Sequence, residues 1–233
     1  MQDMDIPAVL HALEHRVRTA GAEPLLTHYD LDSGGRTELS VTSYANWVAK
    51  TANLIEDQGA DAGQVGLPLA LERPGHWMTL IWPLAAWQRE CVVALDADGA
   101  DLVVIGPEDP RPVLPGGTIA CSLHPLGLGL RNLPDGVLDY TSEALAQPDR
   151  AGILPSAPNG PAWIDNRAVL SHAEVVAVAP VAGRVLVRPA DALQTLRAAV
   201  IAPLIGGGSA VVVEGAADEG RLAAIRTAER CVE

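Results

Sequence analysis

Residues 155–175 read PSAPNGPAWIDNRAVLSHAEV, and this stretch decides the fold. A turn-rich loop leads into a short strand predicted at Ala162–Ile164, a tight turn at Asp165–Asn166 and then a helix. Ser171 is the expected N-cap of that helix, and Glu174 three residues later completes a capping box. Whether the loop at the start of this stretch can hold a phosphate group becomes the central question about function.

Patterns typical of strands and helices alternate through the rest of the chain. The predicted strands are Leu25–Tyr29, Thr37–Val41, Gln64–Leu71, Cys91–Leu95, Leu102–Ile105, Thr118–Leu123, Arg184–Arg188 and Ala210–Val213. The predicted helices are Ile6–Gly21, Tyr44–Asp57, one opening at Pro74, Ser142–Ala146, Asp191–Leu204 and Asp218–Glu229. This alternation predicts an α/β fold whose mainly parallel sheet carries helices on both faces.

The length of 233 residues and the 48% hydrophobic content predict one domain over residues 1–233, with two lobes at about 1–150 and 151–233 as the alternative. A net charge of -13 argues against extended contact with nucleic acid, because phosphate neutralisation needs clustered Lys and Arg. The N-terminal residues lack the pattern of a signal peptide, and no run of 18 apolar residues predicts a membrane span. Three cysteines without metal-ligand spacing favour a reducing cytoplasm.

Several residue patterns are better explained by structure than by chemistry. The tryptophans of the helix that opens at Pro74 are spaced as core residues. His11 and His15 lie one helical turn apart but have no third ligand near them, so we expect solvent-facing histidines and no metal site. The run Gly206–Ser209 precedes a strand and lacks the final Gly of a nucleophile elbow, so we interpret it as a turn.

Taken together, several segments resemble a known superfamily. They are TELS (37–40), SYANWVAKTANLI (43–55), GADAGQV (59–65), CVVAL (91–95), LSHAEV (170–175) and APLIGGGSAVVV (202–213). Their order is similar to the N-terminal part of acyl-adenylate-forming, AMP-binding enzymes, which include the acyl-CoA synthetases and the adenylation domains of peptide synthetases. More closely, the chain resembles a short actinobacterial family that keeps only a truncated N-terminal part of this fold. The resemblance implies the fold of the N-terminal subdomains of acyl-CoA synthetases.

The resemblance also allows the phosphate loop to be tested. In the full enzymes this loop is rich in Ser, Thr and Gly and ends in Pro-Lys, so that amides, hydroxyls and an ammonium group surround the ATP phosphates. The matching segment here, PSAPNGPAW, has three prolines that have no amide hydrogen to donate. Only Ser156, Asn159, Gly160 and the later His172 remain as candidates for a vestigial ligand loop. Lys50, the only lysine, lies far away in the second predicted helix.

The family's adenine, magnesium and ribose motifs and its mobile C-terminal domain are expected beyond residue 233. We therefore predict no catalytic residues, no metal and no cofactor, and a degenerate, catalytically inactive homologue that acts as a binding or interaction protein. Its partner would be another protein, a second copy of the chain in a homodimer, or a small acyl or nucleotide-like ligand. The alternative is a fragment of an acyl-activating enzyme completed in trans by a chain that supplies the lysine and the C-terminal domain. A third hypothesis is a purely structural or interaction module that retains no pocket.

Overall fold

The computed structural model describes residues 5–109, 117–154 and 159–232. The strands are β1 (Pro24–Asp30), β2 (Gly35–Ser40), β3 (Gln64–Gly66), β4 (Val92–Ala94), β5 (Leu102–Ile105), β6 (Thr118–Ala120), β7 (Val137–Asp139), β8 (Pro161–Ile164), β9 (Val169–Ser171), β10 (Arg184–Val187) and β11 (Ser209–Glu214). The helices are α1 (Ile6–Ala20), α2 (Val41–Asp57), α3 (Leu69–Glu72), α4 (Trp77–Gln88), α5 (Tyr140–Ala146), α6 (His172–Val175), α7 (Ala192–Leu196), α8 (Ala202–Gly206) and α9 (Glu219–Ala228).

Four strands form one sheet, in the order β10-β11-β1-β2. β11 is parallel to both of its neighbours, while β2 returns antiparallel to β1. All six residues of β11 are buried, as expected for an unbroken apolar run in a central parallel strand. The register pairs Asp30 with Glu214, so two acidic residues lie side by side at the carboxyl ends of β1 and β11.

The other seven strands form a second sheet, in the order β7-β6-β5-β3-β4-β8-β9. Every pairing in it is parallel except that of β8 with β9. The prediction of a mainly parallel α/β fold is therefore confirmed. Since β4 and β5 lie on opposite sides of β3, the chain changes direction there, and such switch points are where open α/β sheets place ligands, beyond the carboxyl ends of the strands.

The hydrophobic core lies around α4, in which every residue from Trp77 to Gln88 is buried. The interpretation of the tryptophans as core residues is confirmed, since Trp77, Trp82 and Trp87 are each at most 2% exposed. Helix α2 packs across α4, and Tyr44 of α2 donates a hydrogen bond of 2.7 Å to the Leu80 carbonyl oxygen. Because α4 is apolar around most of its circumference, it must be covered by other elements on every side.

Two predicted elements differ from the observed ones in kind, and the strand predicted over Thr118–Leu123 ends early, at Ala120. The strand predicted over Gln64–Leu71 ends at Gly66, and Leu69–Glu72 forms the short helix α3. Pro68 explains the change, because proline cannot donate to a ladder but fits at the start of a helix. The helix predicted over Asp191–Leu204 is present but has a π-helical turn at Arg197–Ile201 between α7 and α8.

The two sheets do not separate along the chain at residue 150, since β8 and β9 belong to the same sheet as β3 to β7. One large cluster of buried side chains includes residues from Ile6 to Val212 and thus joins both sheets. Within the described part of the chain, no helix is long and apolar enough to span a lipid bilayer.

Candidate functional site

The stretch that decides the fold forms a β-hairpin followed by a capped turn of helix. β8 and β9 pair antiparallel, and the turn between them is closed by a hydrogen bond of 3.1 Å from the Asp165 amide to the Ala168 carbonyl oxygen. The predicted capping box is confirmed: Ser171 Oγ accepts from the Glu174 amide, and Glu174 Oε2 accepts from the Ser171 amide at 2.8 Å. The strand β9 was not predicted, and helix α6 is only one turn long.

The candidates for a vestigial phosphate loop lie at the amino end of β8. Gly160 immediately precedes this strand, and its carbonyl oxygen accepts a hydrogen bond of 3.2 Å from the His172 amide. His172 is buried, and burial lowers the pKa of its imidazole, although a hydrogen bond with the Pro161 backbone partly offsets this effect. Asn159 is in the same turn, whereas Ser156 is outside the described residues. The structure therefore brings three of the four candidates together as neighbours of a strand end.

A cavity of about 320 Å³ lies at the opposite, carboxyl end of β8. It is formed where the residues after β4 and β8 approach the start of α7 and the exposed side of α3. Its lining residues are Ala70, Leu71, Leu95, Asp96, Asp165, Asn166, Arg167, Ala190, Asp191, Ala192 and Leu193. Because β8 has four residues, this cavity is about 13 Å from Gly160 along the strand. The residues at the carboxyl ends were not among the predicted site residues.

The Asp165 side chain binds backbone amides of the turn that faces this cavity. Its Oδ1 accepts hydrogen bonds from the backbone amides of Arg167 at 2.8 Å and Ala168 at 3.0 Å. A phosphate loop after a strand binds its anion through amides of this kind. Here the carboxylate of the turn itself occupies those amides, so the donors and the positive potential that a phosphate needs are already used.

The remaining charges of the cavity are also mostly negative. Three aspartates and one arginine line it. Asp191 accepts from the Gln194 amide as the N-cap of α7 and receives a further hydrogen bond of 3.2 Å from Arg167 Nη1. Asp96 accepts from the Asp98 amide at 3.3 Å. The cavity therefore combines an apolar floor of Ala and Leu with a rim that favours cationic or hydrogen-bond-donating groups over anions.

Lys50 does not reach this cavity. It lies in α2, where its ammonium group is paired with Asp149 Oδ1 at 2.8 Å and donates to the Gln147 carbonyl oxygen. In the described structure, these two contacts hold the segment after α5 against α2. Among the described residues, no group of three His, Cys, Asp or Glu side chains is placed to hold a metal ion.

The structure also contains a buried polar cluster that the sequence did not suggest. Arg73, which follows α3, donates to Glu214 Oε2 at 2.9 Å and to Asp30 Oδ2 at 3.1 Å. Glu214 Oε2 is 2.9 Å from His28 Nε2, and its Oε1 accepts from the Gly75 amide. We call these five residues, Asp30, Arg73, Glu214, His28 and Gly75, the Arg73 cluster. It connects the carboxyl ends of β1 and β11 to the segment that follows the other sheet's β3.

Ionisation in the Arg73 cluster follows from these contacts. Burial opposes the charge of Glu214, but the hydrogen bond from His28 and the charge of Arg73 outweigh it and lower the pKa of the carboxyl. Burial likewise opposes the charge of Asp30, whose pKa is nevertheless lowered by hydrogen bonds from Ser33 and Arg73. His76 stacks edge-on against His28, and burial lowers its pKa to about 3, with His28 and Arg73 contributing. The Asp30 and Glu214 carboxylates are therefore both charged at neutral pH, and the Arg73 guanidinium binds both of them. The only sequence signal was a Glu at the end of an apolar run.

The fold defined by these two sheets is that of the N-terminal part of acyl-CoA synthetases. An acyl-CoA synthetase of Brucella canis superposes with a TM-score of 0.71 and 15% identity, covering 98% of this chain and 46% of its own. The N-terminal domain of FACL13 from Mycobacterium tuberculosis superposes with a TM-score of 0.67 and 12% identity, covering 96% of this chain and 61% of its own. The resemblance predicted from the sequence segments is thus confirmed at the level of the fold.

Sequence comparison adds one relative with higher identity. A TIGR03089 family protein of Mycobacterium tuberculosis is 32% identical over 157 residues, which cover 64% of this chain and 63% of that protein. No protein-family model matches the chain. The chain spans about half the length of the acyl-CoA synthetase and less than two thirds of the curated relative that it matches.

Proposed function

We propose that this chain is a binding protein that does not adenylate carboxylic acids, and that its ligand site is the cavity between Asp96, Asp165 and Asp191. The observation that carries the proposal is the Asp165 carboxylate on the Arg167 and Ala168 amides. A nucleotide phosphate placed at this turn would have to displace that carboxylate. It would then face two further aspartates with only one guanidinium to offset its charge.

The same cavity suits a different class of ligand. Six of its eleven lining residues are Ala or Leu, and its volume of about 320 Å³ is at the lower end of the range for small-molecule sites. A short apolar body could pack on Leu71, Leu95 and Leu193, with an amine or another donor directed at the aspartates. We therefore propose a small amphipathic ligand that is cationic or uncharged, and not a nucleotide or an acyl-adenylate.

A matched set of six-carbon probes tests this proposal. Hexylamine, hexanol and hexanoate share their apolar part and differ only in charge, so thermal unfolding and calorimetry with each probe isolate the contribution of the aspartates. We expect saturable binding of hexylamine to this cavity, weaker binding of hexanol, and no hexanoate binding that responds to Asp165→Asn or Asp191→Asn. Asp165→Asn and Asp191→Asn should each weaken hexylamine binding, while Asp135→Asn in an exposed loop should leave it unchanged.

Nucleotides provide the opposing test. Saturable binding of ATP with a dissociation constant near 10 µM, or about 7 kcal/mol, would overturn the proposal. The alternative of an enzyme completed in trans makes its own prediction, because pyrophosphate exchange in a cell lysate should then disappear when this chain is depleted. Exchange that continues unchanged would count against that alternative.

We also propose a reducing compartment, the cytoplasm, for this protein. Cys91, Cys121 and Cys231 are free, and the first two are buried. Two expectations stay predictions: the chain does not bind nucleic acid, and it forms a homodimer. Retention on heparin tests the first, and light scattering at high protein concentration tests the second.

A further inference from the structure

A second cavity, of about 380 Å³, lies at the amino edge of the four-stranded sheet. Pro24 and Ser209, the first residues of β1 and β11, line it together with Arg184, the first residue of β10. These three strands are parallel, so this cavity is at the opposite edge of the sheet from the Arg73 cluster. It is unrelated to the site between Asp96, Asp165 and Asp191.

The unusual feature of this cavity is Arg16. It belongs to the buried stripe of α1, which otherwise consists of Ile6, Val9, Leu10 and Leu13, and only 7% of its surface is exposed. Its Nη1 donates to the Gly208 carbonyl oxygen at 2.8 Å and to the Pro203 carbonyl oxygen at 3.2 Å. Within the described ranges, no carboxylate forms an ion pair with it.

Burying a guanidinium without a counter-ion is costly, and two neutral carbonyls do not cancel its charge. A guanidinium has five N–H donors in a planar fork. Nη1 accounts for the two hydrogen bonds, and we find no acceptor for Nε or Nη2 among the residues that the structure describes. Arg16 and Gly208 both line the cavity, so the Arg16 side chain forms part of its wall.

The neighbouring Arg184 shows how differently a paired arginine is placed. Its Nη2 contacts Glu229, Glu38 and Thr27, so its charge is neutralised by the protein itself. The Glu38 and Glu229 carboxylates are further bound by Arg36. Arg16 therefore remains for a ligand, and the cavity also contains the exposed Arg230 and Glu23, which carry opposite charges and of which Glu23 interacts with Arg16.

We infer that this cavity binds a small monocarboxylate through the guanidinium group of Arg16. A planar carboxylate matches the arginine fork and can accept two parallel hydrogen bonds from it. A single negative charge balances Arg16, whereas a phosphate dianion would bring an excess of charge close to Glu23, Glu38 and Glu229. A side chain at Gly207 would meet no atom within 4 Å, so this part of the cavity wall is open.

Acetate is the simplest probe, titrated into the full chain labelled with ¹⁵N-arginine at pH 7 and constant ionic strength set with sodium chloride. We expect a saturable shift of one Nε–H resonance, assigned to Arg16 by its absence in Arg16→Lys. That variant keeps the charge but loses the fork, so its acetate affinity, measured by calorimetry for both proteins, should fall about tenfold. Arg18→Gln, an exposed position on the same helix, serves as the matched control and should bind acetate like the wild type.

Glu23→Gln keeps the test decisive if Arg16→Lys does not fold. Burial lowers the pKa of the Arg16 guanidinium, and the charge of the exposed Glu23 opposes this effect, so removing that charge should tighten acetate binding about threefold. An Arg16 resonance that stays unshifted up to saturating acetate would overturn the inference. Equal shifts with chloride would show an adventitious ion only, and tighter binding of inorganic phosphate than of acetate would contradict the monocarboxylate.

Discussion

Replacing Arg73 by methionine should destabilise the protein more than any change to an exposed ion pair. Methionine keeps most of the side-chain volume but removes the charge, which leaves Asp30 and Glu214 as adjacent carboxylates that are only about 10% and 9% exposed. Removing one partner from a buried pair costs about 3–5 kcal/mol. Because the Arg73 side chain is itself 30% exposed, water can reach part of the site, and we expect the lower end of that range.

Urea unfolding at pH 7, followed by circular dichroism, measures this loss. Arg167→Met is the control, because its pair with Asp191 is exposed and should contribute less than about 1 kcal/mol. An Arg73→Met loss no larger than that of the control would refute the reasoning, since it would show that the two carboxylates do not depend on the guanidinium.

The pH dependence gives an independent check with a defined sign. The pKa values of Asp30 and Glu214 are lowered in the folded protein from ordinary values of about 3.9 and 4.3. Their contribution to stability is therefore fully present above the unfolded values and is lost as the pH falls through the lowered folded ones. The difference between wild type and Arg73→Met should accordingly shrink between pH 6 and pH 3, and a difference that grows on acidification would be the wrong sign.

Three further outcomes follow from local structure. Ser171→Ala removes the side-chain acceptor of a capping box and should cost about 1 kcal/mol in urea unfolding; no change would show that the single turn of helix does not need its cap. Gly206→Ala should cost about 1–3 kcal/mol, because the added Cβ would come within 2.3 Å of the Val181 backbone, whereas Gly152→Ala meets no atom within 4 Å and should be neutral in the same thermal unfolding assay. Burial raises the pKa of Cys91 to about 11, so native protein at pH 8 should take up iodoacetamide first at Cys231, with all cysteines reacting in urea; rapid labelling of Cys91 by mass spectrometry would contradict its burial.

Much of the fold could be predicted because its signals are local. The buried helix around Trp82 is apolar on all sides, and the strand at Ala210–Val213 is an unbroken apolar run between a glycine turn and an acidic residue. The capping box at Ser171 and Glu174 depends on residues three apart, which any helix start brings together. Patterns of this kind do not depend on what the rest of the chain does.

The predicted and the observed sites differ for a physical reason. The sequence segments place a loop next to a capped helix, but they do not indicate at which end of β8 a ligand would lie. The candidates Asn159, Gly160 and His172 gather at the amino end, while the cavity opens at the carboxyl end beside Asp165. The role of the four candidate residues in ligand binding stays a prediction.

The sequence by itself determined the alternation of strands and helices, the apolar core and the scarcity of lysine. Only the tertiary structure decided which charges meet: Asp30 and Glu214 are 184 residues apart and become neighbours through the register of two parallel strands. Arg16 and Gly208 are likewise far apart in sequence, and both line the second cavity because α1 packs against α8. Local periodicity determines which face of an element is buried, but electrostatic pairing depends on how distant elements are placed in three dimensions. For this reason the sequence could locate the turn at Asp165, but only the fold showed that the Asp165 carboxylate accepts hydrogen bonds from the turn's own backbone amides.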